Sequence, residues 1–133
     1  MKNLKYFESV DDYSEWGIDP QDVQEMFFNI SDLGWIVRVT PSKRLIQKSS
    51  DGGVFQFDFQ HYIRLVILKP FISTERDLVR SQLTQLKNSE IFTETLREAE
   101  IRLKDYGYFI SDSWKNSKID KNIEIEIIKK ETN

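Results

Sequence analysis

The sequence predicts an α+β fold: two helix–strand–strand units forming a four-stranded, mostly antiparallel sheet with helices on one face. Three observations carry that expectation. Apolar residues recur at helical spacing in some stretches and with period two in others. Two helical stretches end on a glycine followed at once by an aromatic residue and an apolar strand, at Gly34-Trp35 and Gly107-Tyr108. Residues 23–37 lie over residues 96–110 at an offset of 73. In that overlay Glu25/Glu98, Asp32/Asp105 and Gly34/Gly107 are identical, and eight further positions are apolar or aromatic in both copies.

Residues 1–18 read as a lead-in arm with Leu4, Phe7 and Trp16 as docking residues. A single α+β domain then covers 19–133, and its first unit spans 19–69. Asp19 suits an N-cap, Pro20 the first helical position and Asp22 the positive helix end. Val23, Met26, Phe27, Ile30 and Leu33 make one apolar stripe, and Gly34 supplies a left-handed stop. Trp35–Thr40 reads as a strand closed by Pro41. Residues 42–53 read as a polar hairpin tip carrying Lys43, Arg44 and Lys48, with a turn at Asp51-Gly52-Gly53. The second strand covers 54–69; Phe55, Phe57 and Phe59 share the parity of Ile63, Leu65 and Ile67.

An inserted helix over 74–87, capped by Thr74, separates this unit from the second, 89–130. There Ser89 caps a helix with Phe92, Leu96, Ala99 and Leu103 on one face, Gly107 stops it, and Tyr108–Ile110 is a strand. Residues 111–121 read as a polar loop around Trp114, and Ile123–Ile127 alternates strictly as a strand. Gly34, Gly107, Trp35 and Tyr108 are the structural marks of the repeat. Neither unit buries both its helix stripe and its strand face alone.

Composition excludes several chemistries. The chain has 133 residues, a formal charge of -3, no cysteine, one histidine (His61) and five glycines. Disulfide frameworks, thiolate metal sites and cysteine nucleophiles are ruled out, as is a two-histidine site built from one chain. No glycine-rich phosphate loop is present. No catalytic, cofactor-binding or metal-binding residue is therefore assigned, and no cofactor is expected. His61 reads as a packed or edge histidine. Glu124 and Glu126 share a strand face, where cross-strand ion pairs with Arg38 or Arg64 are the expectation ahead of acid–base work or a divalent cation. The candidate partner-binding residues are Trp114 in its loop, as anchor or folded-back lid, and the cations Lys43, Arg44 and Lys48.

The opening Met1-Lys2-x-Leu4-x-x-Phe7-Glu8 resembles the start of small proteins of large tailed bacteriophages of the T-even type. Some of these carry a capsid-targeting sequence that a prohead protease cuts after a glutamate. Tyr6-Phe7-Glu8 is the nearest equivalent, with Tyr6 in the usual aliphatic place. The helix leading into Asp32-Leu33-Gly34-Trp35, the Arg64 strand and Asp105-Tyr106-Gly107-Tyr108 resemble uncharacterised phage proteins of the same grammar. That resemblance implies origin and no activity.

The functional expectation is a non-catalytic phage protein that binds another protein, in the virion or the host cytoplasm, through an exposed apolar patch near Trp114, the lead-in or the second strand. Residues 1–9 lack the apolar core of a signal peptide, and no apolar run is long enough for a membrane span. One alternative is a nucleic-acid binding module, which requires Lys43, Arg44 and Lys48 to converge with Lys115, Lys118 and Lys121. Another is a carboxylate enzyme around Glu124 and Glu126, which requires a raised carboxyl pKa. An uncovered sheet face or edge strand would favour a homodimer.

Overall fold

A computed structural model of the chain describes residues 14–49, 51–53, 55–69, 76–116 and 121–130. The expectations for Leu4, Phe7, Thr74 and Lys118 lie outside them. The described chain begins with a short 3-10 turn, Ser14–Trp16. Two short helices follow, α1 (Pro20–Met26) and α2 (Phe28–Ser31). Asp19 caps α1, its carboxylate accepting from the Gln21 N–H at 2.9 Å. The single helix expected here is interrupted at Phe27, whose N–H donates to the Gln24 carbonyl in a tightened turn (φ -107, ψ 21).

Strands β1 (Ile36–Ser49) and β2 (Phe55–Leu68) form a long hairpin. This corrects two expectations. Pro41 does not end the first strand, and Lys43, Arg44 and Lys48 lie in β1 rather than in a loop. β1 is an edge strand, where a residue without N–H is tolerated. Helices α3 (Arg76–Lys87) and α4 (Glu90–Lys104) come next. After them stand β3 (Tyr108–Ile110), α5 (Ser113–Asn116) and β4 (Asn122–Lys129). The loop expected around Trp114 thus contains a helical turn.

The sheet is antiparallel throughout, in the order β1-β2-β4-β3. One face carries Val37, Ile63, Leu65, Ile67, Ile123, Ile125 and Ile127, all buried under the helices with Val23, Phe27, Ile30, Leu83, Phe92 and Leu103. Period-two alternation puts Arg64, Glu124 and Glu126 on the opposite face.

The two units share their glycine stops and strand pairing, although the first unit's helix is interrupted and the second's is continuous. Gly34 and Gly107 have φ of +101 and +84, and each N–H closes onto the carbonyl three residues back, Ser31 and Lys104. Their strands pair in equivalent register, Val37 with Ile67 in one unit and Ile110 with Ile127 in the other. At the seam Ile63 faces Ile127, Leu65 faces Ile125 and Ile67 faces Ile123. In the repeat Ile63, Leu65 and Ile67 correspond to Ile123, Ile125 and Ile127. A twofold between β2 and β4 therefore carries this pairing onto itself, with Leu65–Ile125 on the axis.

Candidate partner-binding surface

β4 accompanies β2 only as far as the Tyr62–Ile128 pair, whereas β1 and β2 remain paired out to Ser49–Phe55. Among the described residues the hairpin thus projects as a two-stranded arm. The parity that buries Ile63, Leu65 and Ile67 continues along it, bringing Phe59, Phe57 and Phe55 onto the same face, with Leu45 opposite Phe59. Among the described residues the helix layer does not reach that far. Phe55 is 62% exposed, Phe57 63%, Phe59 53% and Leu45 59%.

A polar knot closes the core at the base of the arm. Trp16 is buried, its ring centre 5.2 Å from that of His61 in an edge-to-face arrangement and its Nε1 donating to the Ser42 carbonyl at 3.0 Å. The Glu15 carboxylate meets His61 Nε2 at 3.1 Å and Lys43 Nζ at 3.3 Å. These two partners, His61 first, pull the Glu15 carboxyl below its ordinary value. Lys129 Nζ donates to the Glu15 carbonyl and the Tyr108 hydroxyl to the Trp16 carbonyl at 2.6 Å, so the turn is tied to all four strands. Sequence reasoning found no partner for His61, because Glu15 is 46 residues away and only the fold joins them.

Lys43, Arg44 and Lys48 do not form a basic tip. Lys43 faces the helix side, beside Glu15 and 5.2 Å from the Phe59 ring centre. Arg44 faces the open side, where it stacks on Tyr62 at 4.3 Å and grips Glu126 with two bonds of 3.0 and 3.2 Å. Lys48 meets Asp58 at 3.4 Å. Strand alternation thus separates Lys43 from Arg44, and Lys115 lies on α5 beside Asp112. Lys43 therefore does not share a face with Arg44 and Lys48, as a nucleic-acid face built on all three requires.

Trp114 is half-buried and packs edge-on against Phe92 at 5.3 Å, the folded-back arrangement. With Leu96 and Ile110 it lines a cleft of about 280 Å³. Trp35 packs against the core with Lys69 over its ring, while Tyr108 is buried at the equivalent position.

Comparison with protein families, curated proteins and solved structures gives no match.

On the open face Arg64 holds Glu124 by two bonds of 2.8 and 3.1 Å, and this grip lowers the Glu124 carboxyl from its ordinary value. That is opposite to the raised carboxyl an acid–base role for Glu124 requires, and Glu126 is already held by Arg44. The pairs are cross-strand, as expected, with Arg44 and Arg64 rather than Arg38 as the cations. No group of three or more His, Asp or Glu side chains that could hold a metal gathers among the described residues. None of their helices is long and apolar enough to cross a membrane. The arm offers exposed aromatic area on a paired backbone.

Proposed function

We propose that the protein acts without catalysis, by binding another protein through the arm, in the virion or cytoplasm of a tailed-phage infection. The observation that carries the reading is the row Phe55, Phe57 and Phe59 with Leu45, each more than half exposed on one face. Large aromatic side chains bury roughly 150–250 Å² each, so these four offer on the order of 450 Å². That is the scale of a functional apolar patch and about half of one partner's share of a standard interface. Its transfer from water is worth on the order of 10 kcal/mol before the costs of association. The ion pairs at Lys43, Arg44 and Lys48 leave little field for phosphate, which favours a protein over a nucleic acid.

The test is affinity capture from phage-infected cells with the native chain and with Phe57→Glu. A partner that the variant retains at least tenfold less, with unchanged melting, supports the reading. Equal retention overturns it, as does capture of oligonucleotide that disappears with added salt. Sedimentation of the purified chain over a concentration series tests the homodimer: if self-association is the only binding Phe57→Glu removes, the partner is a second copy.

A further inference from the structure

The duplication supplies an internal control for each surface, because every position of one helix–glycine–strand unit has a counterpart in the other. Val23/Leu96, Met26/Ala99, Ile30/Leu103 and Val37/Ile110 are buried in both copies, and Phe28/Ile101 and Leu33/Tyr106 are exposed in both. The match breaks next to this shared stripe. Phe27 is fully buried, while its counterpart Glu100 is exposed; the neighbouring pair shrinks from Met26 to Ala99. A second closure is also missing. Gln24 donates from Nε2 to the Val37 carbonyl at 3.0 Å, whereas its counterpart Arg97 turns to Glu94. The cleft of about 280 Å³ lies at this break, between Leu96 on α4, Ile110 at the end of β3 and Trp114 on α5, with Glu100 on its rim.

From this we infer that the cleft at Glu100 is a socket for an aromatic side chain of a protein partner, the place of the ring that unit one supplies from its own Phe27. The inference rests on the protein-binding reading and adds a second contact point to it. Charge selects the kind of occupant. The rim carries Arg97 and Lys115 against Glu100 and Asp112, two charges of each sign, so a polyanion or polycation gains little there. An uncharged peptide segment presenting a ring does gain, through Leu96, Ile110 and the Trp114 face. The volume sits just below the usual range of small-ligand pockets, room for one side chain rather than a helix. Aromatic side chains in such sockets are the usual anchors of an interface.

The test uses the full chain and N-acetyl-L-phenylalanine amide, followed by NMR at the Leu96 and Ile110 methyl groups and the Trp114 indole N–H. Saturable shifts at all three, with the roughly millimolar affinity of a fragment this small, are expected. Glu100→Phe restores the ring from within; it should raise the melting temperature and weaken the titration at least tenfold. Absent shifts, shifts confined to the arm, or an unchanged titration in Glu100→Phe overturn the proposal. If Glu100→Phe does not fold, Thr93→Phe fills the same cleft from another wall and must give the same loss. Phe57→Glu, which contributes nothing to the cleft, should leave the titration unchanged. A socket that titrates while Phe57→Glu loses no partner defeats the arm alone, and the reverse defeats the socket alone.

Discussion

Gly34 and Gly107 turn their helices into strands at positive φ, and a Cβ added at either would meet nothing within 4 Å beyond its immediate chain neighbours. The cost of a side chain there is backbone strain alone. Replacing either with valine should lower stability by about 1–3 kcal/mol in urea unfolding, with asparagine much milder. Thr95 is the opposite case: its hydroxyl is buried on α4 with no hydrogen-bond partner among the described residues. Thr95→Val removes that desolvated group and should gain about 1 kcal/mol by the same measurement. Burial pushes the Tyr108 hydroxyl up to about 12 from 10.0. A raised folded value means the stabilisation is complete below the unfolded value and is lost as pH climbs through the folded one. Native stability should thus fall between about pH 10 and 12. Tyr108→Phe should flatten that decline while losing the bond to the Trp16 carbonyl, and melting curves across alkaline pH read both effects.

Between neighbouring strands, the open face is organised by Arg64–Glu124 and Arg44–Glu126, and the first gives a signature in acid. The Glu124 carboxyl is depressed in the folded chain, so its contribution is present above the ordinary carboxylate range and lost as pH falls through the depressed value. Arg64→Gln should reduce the acid-side slope of stability, by less than about 1 kcal/mol because the pair is exposed. Strand parity was legible in the sequence: the same alternation that placed Glu124 and Glu126 outward placed Phe55, Phe57 and Phe59 on the helix-side face. Parity names a face, however, and does not say how far the layer above extends, so the exposure of those rings had to come from three dimensions. Pro41 misled for a related reason, since it breaks an interior strand but not an edge, and edge position is a property of the assembled sheet. The interruption at Phe27 had no signal, because Phe27 itself continues the helical stripe. The Glu100 cleft was half written in the repeat as a phenylalanine facing a glutamate; the fold was needed to show the space beside it.

Across the whole molecule, the two units meet along the seam between β2 and β4, and their helices pack on one another. The knot at the base of the arm joins early and late parts of the chain, for Lys129 reaches the Glu15 carbonyl at 2.9 Å. Exposed Asn88 marks the hinge between α3 and α4. That proximity makes the linear order of the two halves dispensable. A circular permutant, with a short linker from the last strand to the first turn and new ends cut at Asn88, should refold to the same amide NMR fingerprint.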